Sequence, residues 1–259
     1  MSGQSMTAPH SAPLGTGLAP AWSPPLPAQL TAVRHGQSTA NAAFAEAALT
    51  GALSVPITER DADLPLTHLG AAQAAAVGRR LAADPPELVY CSPYLRTRQT
   101  LAAILGALAD TGAPAPATRF DERLRDRETG AWEMLTTAAL RRRYPEEMAR
   151  RDHVGPFYFR PPGGENFPDV ALRVRSLLRE ALPAAQGRHL LIVCHDAIVL
   201  MLRLILDELD EPTLTRIVDA GGAIGNCTVT RWTADAAGLS LADYNDGDHL
   251  RHLATVLPG

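Results

Sequence analysis

The stretch His189-Leu190-Leu191-Ile192-Val193-Cys194-His195-Asp196 decides the fold class. An apolar run of strand length, unbroken by polar residues, reads as a strand buried on both faces. It stops at a histidine and an aspartate, and Ala197–Leu206 follows at once as an apolar helix. A buried strand that runs straight into a helix is the building unit of an α/β protein.

Working outward, the same alternation recurs. Gln29–Val33 reads as a short, mostly apolar strand, and Leu69–Ala83 as a helix with Thr67 placed to cap it. Leu88–Cys91 is a second buried strand, followed by a helix over Arg96–Leu108. Pro168–Leu182 is a helix with proline in its first turn. Cys227–Thr233 and Leu239–Tyr244 read as the final strands. Residues 1–27, rich in Pro, Ser, Gly and Ala, lack the apolar content for a core and are expected to form a flexible tail. Residues 28–259 then make one domain of ordinary size.

Composition narrows the chemistry. The chain has 259 residues, 46% hydrophobic and 20% charged, a net charge of -4 and a pI near 6.1. That balance speaks for a globular protein and against a nucleic-acid binder, which carries a basic excess. All 24 basic residues are arginine. A P-loop needs a lysine on its phosphates and a Schiff-base enzyme needs a lysine amine, so both classes are excluded. Arginine, in contrast, suits bidentate capture of phosphate. Cys91, Cys194 and Cys227 have neither metal-site nor disulfide spacing and sit in or beside apolar runs, which points to buried thiols and a reducing, cytoplasmic compartment. No signal peptide and no membrane-length apolar run is visible.

The polar residues with chemical potential lie where apolar strands end, the side of an open α/β sheet on which ligands gather. The first strand runs into Arg34-His35-Gly36-Gln37-Ser38, with Asn41 close behind. Arg34 can neutralise an oxyanion and Gly36 lets a phosphate approach the backbone. The helix start near Ser38 adds free N–H groups and a positive dipole end. The second strand runs into Ser92-Pro93-Tyr94-Leu95-Arg96, so Arg96 enters the same crevice, while Arg98 reads as solvated. His195 mirrors His35 at the end of the third strand.

The pattern Arg34-His35-Gly36 with Asn41, Ser92-Pro93 with Arg96 and Thr100, and a strand-borne His195 resembles the histidine phosphatase superfamily, over about residues 28–250. Leu64-Pro65-Leu66-Thr67 with Gly70 and Gln73, Pro161-Pro162-Gly163-Gly164-Glu165, and Asn226 extend the resemblance. It implies a three-layer α/β/α sandwich around a mostly parallel sheet, as in phosphoglycerate mutase. It also implies that His35 attacks phosphorus and becomes phosphohistidine. Arg34, Arg96, His195 and Asn41 would bind the phosphate, with no cofactor and no metal. The partner implied is a small phosphorylated substrate, with no nucleic acid and no membrane. A homodimer is compatible with the family.

The proton donor departs from the family pattern. A glutamate usually stands four residues before the glycine that is Gly130 here, and Asp126 occupies that position. Glu128 is the alternative acid, because alternation on an extended segment puts 126 and 128 on the same side. Salt bridges to Arg123, Arg125 and Arg127 would account for either carboxylate without catalysis. Asp196 stands where many relatives have glycine. It either caps the following helix or serves as the acid, as a His-Asp pair does in the acid phosphatase branch.

A lid-like insertion at about 136–167 carries Arg141, Arg142, Arg143, Arg150, Arg151 and Arg160 with Phe157, Tyr158 and Phe159. It would either select an anionic or aromatic substrate or plug its rings into the core. The segment Asn245-Asp246-Gly247-Asp248-His249 with His252 has ligand-type residues, but its composition is that of a turn.

Three functions are compatible with the pattern: a phosphomonoesterase, a cofactor-dependent phosphoglycerate mutase, and an inactive binding protein on the same fold. Leu49-Thr50-Gly51-Ala52 replaces the Phe-Thr-Gly-Trp of the mutase pattern, and the lysines expected at the mutase's substrate are absent. Both favour the phosphomonoesterase. The presence of His35, Arg34, Arg96 and His195 together disfavours the inactive protein.

Overall fold

The computed structural model describes residues 25–221 and 223–253. Six strands form one sheet: β1 (Gln29–Arg34), β2 (Leu88–Cys91), β3 (Ala117–Phe120), β4 (His189–Cys194), β5 (Val229–Asp235) and β6 (Gly238–Asp246). Their order is β3-β2-β4-β1-β5-β6. The first four strands are mutually parallel, β5 pairs antiparallel with β1, and β6 pairs antiparallel with β5 at the edge of the sheet.

The helices are α1 (Thr39–Thr50), α2 (His68–Leu81), α3 (Leu95–Ala109), α4 (Thr137–Arg143), α5 (Pro145–Val154), α6 (Phe167–Ala184), α7 (Asp196–Leu206) and α8 (Glu211–Gly221). Successive strand side chains point to opposite faces, so each central strand feeds two cores. On one face Leu30, Tyr90, Leu190 and Ile192 pack against Val174, Leu177 and Leu178 of α6 and Ile198 and Leu202 of α7. On the other, Val33, Val89, Leu191 and Val193 pack against Ala74 and Val77 of α2 and Leu101 and Ile104 of α3. That is the three-layer sandwich expected, and the regular elements fall within two residues of their expected bounds.

Several elements lay beyond the sequence reading. β3 is an edge strand whose four residues are all exposed, so it has no apolar period to announce it. α8 and the helices within residues 136–167 are further elements beyond those the sequence predicts. Of the expected tail, residues 25–27 are described, and the Leu26 carbonyl accepts the Gly187 N–H at 3.0 Å. The rest of that tail, residues 1–24, lies outside the described residues.

The three cysteines are unpaired and buried, and burial pushes the Cys91 thiol up to about 12. The Asn245–His249 turn is structural. Arg80 of α2 donates to Asp246 at 2.6 Å and to His249 Nδ1 at 3.1 Å, while His249 Nε2 donates to the Cys227 carbonyl at 3.0 Å. No helix among the described residues is long and apolar enough to cross a membrane.

Candidate active site

The strand order places β4 between β1 and β2, so their carboxyl ends lie side by side at the middle of the sheet. β1 and β4 pair in parallel with Arg34 opposite Cys194, and the His35 N–H extends the ladder to the Cys194 carbonyl at 2.9 Å. His35 and His195 therefore emerge at equivalent points, their rings edge to face with centroids 5.2 Å apart.

His35 is 2% exposed. Its Nδ1 donates to the Gly36 carbonyl at 2.8 Å, which leaves the Nε2 lone pair to accept from Arg96 Nε at 3.2 Å. Burial, then His195, Arg96 and Arg34, push its pKa well below the usual imidazole value against the pull of the Gly36 hydrogen bond. The imidazole is thus neutral, with its free electron pair aimed at a guanidinium.

His195, fully buried, presents Nε2 to the Ser92 hydroxyl at 2.9 Å and Nδ1 to the centre of the site. There it lies 3.3 Å from Asp126 Oδ2 and 3.4 Å from an Arg96 nitrogen. Ser92 thereby fixes which ring nitrogen faces the site.

The supporting motifs explain themselves as scaffolding. Ser38 and Asn41 form a capping box at the start of α1, worth about 1 kcal/mol. The Asn41 side-chain oxygen is spent on the Ser38 N–H and on Asn226, whose amide also holds the His35 carbonyl at 3.0 Å, so the Asn41 amide N–H groups are its remaining donors. Thr100 accepts the Gly36 N–H and donates to the Arg96 carbonyl, tying the nucleophile loop to α3. Gln73 accepts the Gln37 N–H at 2.9 Å, and the Thr67 N–H reaches the Gln37 carbonyl.

Gly70 permits this approach, since a methyl added there would meet the Gln37 carbonyl oxygen at 2.1 Å. Gly70→Ala is expected to cost ~1–3 kcal/mol, the usual scale of overpacking, and to depress activity by displacing the loop that carries His35. A denaturation midpoint and turnover equal to wild type would contradict this.

Arg96, 3% exposed, is the hub. Besides His35 it holds Asp61 through both terminal nitrogens, at 3.1 and 2.9 Å, and Asp126 at 3.1 Å. Arg34 donates to the Ile224 carbonyl at 2.5 Å, and its Nε–H has no acceptor among the described residues.

Of the acid candidates, Asp126 is the one in contact with Arg96 and His195. Burial pushes its pKa up, but the charge and hydrogen bond of His195 and the charge of Arg96 outweigh this and hold the carboxyl well below its ordinary range. Glu128 accepts instead from the Tyr94 hydroxyl at 3.1 Å and pairs with Arg125 at 3.5 Å, the salt-bridge role expected if it is not catalytic. Asp196 accepts the Ala197 N–H at the start of α7 and lies 3.8 Å from Arg34.

Three participants were absent from the sequence reading. Asp61 had no motif to mark it. Tyr94, inside the Ser92–Arg96 motif, packs edge to face with His195 at 5.1 Å. Arg173 of α6 donates to the carbonyls of Arg123, Arg125 and Asp126 and to Glu165, whose carboxylate also accepts the Glu128 N–H. That web holds the loop carrying Asp126, which explains the Glu165 motif.

The rings of the 136–167 segment mostly enter the core. Phe159 stacks on Trp132 at 5.0 Å, beside Met148, and Phe157 stacks on Phe167 at 5.7 Å. A cavity of about 340 Å³ opens next to Asp61 and Asp126, and none of that segment's six arginines lines it. A larger groove of about 590 Å³, lined by Leu178, Leu182, Leu204 and Leu209 among others, contains none of the site residues.

The family model of the histidine phosphatase superfamily (branch 1) matches residues 30–247. The chain belongs to the histidine phosphatase superfamily. The proteins it is similar to include mutases and a phosphatase by name. The 2,3-bisphosphoglycerate-dependent phosphoglycerate mutase 2 of Gloeobacter violaceus is 33% identical over 71% of this chain and 76% of its own. The corresponding mutase of Nitrobacter winogradskyi is 31% identical over 83% of this chain and 96% of its own. Among solved structures, mycobacterial glucosyl-3-phosphoglycerate phosphatase in complex with VO3 is 25% identical, with a TM-score of 0.65 over 85% of this chain and 99% of that one.

Proposed function

We propose that this histidine phosphatase superfamily member is a metal-independent phosphomonoesterase that hydrolyses a small phosphate ester through a phosphohistidine on His35. The observation that carries the reading is the neutral, buried His35, with Nε2 unprotonated and directed at Arg96. Phosphoryl transfer asks mostly for positioning and charge stabilisation. Arg34, Arg96, the Asn41 amide and His195 Nδ1 supply donors for the three non-bridging oxygens, and the unpaired Arg34 Nε–H suits an incoming anion.

In the first half-reaction His35 Nε2 forms the P–N bond, the P–O bond to the alcohol breaks, and Asp126 passes its proton to the departing oxygen. In the second, water attacks phosphorus, returns a proton to Asp126, and frees His35 as phosphate leaves. Covalent capture splits one hard displacement into two easier ones.

His35, Asp126 and His195 place ligand-type atoms within 4.8 Å of one another. Arg96 already spans His35 Nε2 and the Asp126 carboxylate, so a cation occupies the space a metal would take. Hydrolysis of p-nitrophenyl phosphate should therefore persist in excess EDTA, with vanadate a competitive inhibitor because the pocket complements a charged transition state. Loss of activity on chelation, restored by a divalent ion, would overturn the metal-independent assignment.

The names of the curated relatives favour a second reading, a phosphoglycerate mutase. It prevails if 3-phosphoglycerate is isomerised faster than it is hydrolysed. The three unpaired buried thiols support a cytoplasmic setting.

A further inference from the structure

The cavity beside Asp126 is lined by Asp61, Asp126, Glu133 and Asp196, with Arg127 the one lining cation among the described residues. Beside it stand the two guanidiniums that would hold the phosphate, and both are already partnered by these carboxylates. Arg96 bonds Asp61 and Asp126, and Arg34 faces Asp196 at 3.8 Å. Glu133 accepts the Asp61 N–H at 2.9 Å, and no guanidinium among the described residues pairs with it. Arg127 lies over the Phe167 ring at 4.8 Å and donates to the Glu165 carbonyl. Three guanidiniums thus face four carboxylates before a phosphate dianion arrives. Once it has arrived the negative charges outnumber the positive, even with Asp126 protonated and His195 counted as a cation. Apart from Thr129 the remaining wall is apolar and aromatic, including Phe44 and Trp132.

We propose that this cavity receives the alcohol part of the substrate and selects an alcohol that carries a cationic nitrogen, rejecting one that carries a second anion. The inference rests on the phosphomonoesterase reading for its phosphate site and names the substrate class of that site. Carboxylates at the rim attract an ammonium group directly, and aromatic faces add cation–π attraction. A carboxylate in the same place, as in a phosphoglycerate, meets repulsion from Glu133, Asp196 and Asp61 at once. The arginines that could have offset it, those of the 136–167 segment, do not line the cavity.

The test uses three phosphate esters of matched two-carbon alcohols: phosphoethanolamine, ethyl phosphate and phosphoglycolate. Each is titrated calorimetrically into the full-length His35→Ala chain, which cannot turn them over. Affinity is expected to fall in that order, by roughly tenfold for each unit of charge, the scale of a partly solvated charge interaction. Glu133→Gln, and separately Asp196→Asn, each in the same background, should narrow the gap between phosphoethanolamine and ethyl phosphate several-fold. The proposal is overturned if phosphoglycolate binds as tightly as ethyl phosphate, if phosphoethanolamine binds no better than ethyl phosphate, or if neither carboxylate variant narrows the gap. Hydrolysis of p-nitrophenyl phosphate by the wild-type chain is measured alongside. Its absence together with the expected binding order would sink the phosphomonoesterase reading and leave the charge selection standing. Hydrolysis with a flat binding order would do the reverse.

Discussion

Replacing His35 with alanine is expected to lower kcat on p-nitrophenyl phosphate by at least ~10⁴-fold, the scale seen when a covalent nucleophile is removed. The loss should extend to good leaving groups, because the step removed is formation of the P–N bond rather than protonation of the alcohol. A wild-type reaction quenched during turnover should carry acid-labile, base-stable phosphate on His35, and the variant should carry none. His35 is buried against His195 and Arg96, so the variant's fold must be checked by its circular dichroism and thermal midpoint. A folded variant with near wild-type turnover would remove His35 from the nucleophile role. His195→Ala, which deletes one donor to the transition state, should be milder at ~10²–10³-fold.

Asp126→Asn is expected to divide substrates by their leaving group. An alkyl alkoxide needs a proton as it departs, whereas p-nitrophenolate leaves unaided. The variant should therefore lose ~10²–10⁴-fold on an alkyl phosphate and little on p-nitrophenyl phosphate, the usual contribution of general acid catalysis.

The sign of the pH dependence follows from what surrounds the carboxyl. Before a phosphate binds, burial favours the protonated form, but His195 and Arg96 outweigh it and hold the Asp126 carboxyl well below its ordinary range. A bound phosphate dianion takes over Arg96 and places negative charge beside the carboxyl, and both changes raise its pKa. Asp61, Asp196 and Glu133, which line the same cavity, act in the same direction. Alkyl-ester turnover should thus be highest where the complex holds Asp126 protonated and should fall as pH rises above neutral. p-Nitrophenyl phosphate should show no such limb. Glu128→Gln is the control, its carboxylate being held by Tyr94 and Arg125. If Glu128→Gln shows the leaving-group dependence and Asp126→Asn does not, Glu128 is the acid. If neither does, Asp196→Asn is the next variant.

The choice between 126 and 128 shows where a sequence stops being informative. Both lie on the same side of an extended stretch, so period-2 alternation cannot separate them. Arg173, drawn from a helix almost fifty residues further on, separates them by pinning the carbonyls of Arg123, Arg125 and Asp126. Asp61 is a stronger case. Its contact with Arg96 joins a short 3-10 turn to a distant helix, and no local pattern encodes that meeting.

What the sequence determined by itself is the set of buried strands and the residues at their ends. A strand packed on both faces must be continuously apolar, and a polar residue directly after it can lie only at the sheet's rim. Arg34, His35 and His195 were legible for that reason, Arg96 by its place in the first turn of the helix after the second strand, and so were the helices whose apolar faces cover the sheet. The tertiary structure alone decided which strand lies beside which, and hence that His35 and His195 face each other across neighbouring strands. It also decided the exposed edge strand β3, whose backbone pairing leaves no mark on side-chain pattern, and the four carboxylates gathered from three distant stretches of chain around one cavity. The physical reason is the same in each case. Burial imprints itself on neighbouring residues along the chain, whereas strand order and loop contacts arise from closures between distant segments, whose energies depend on the whole packed fold.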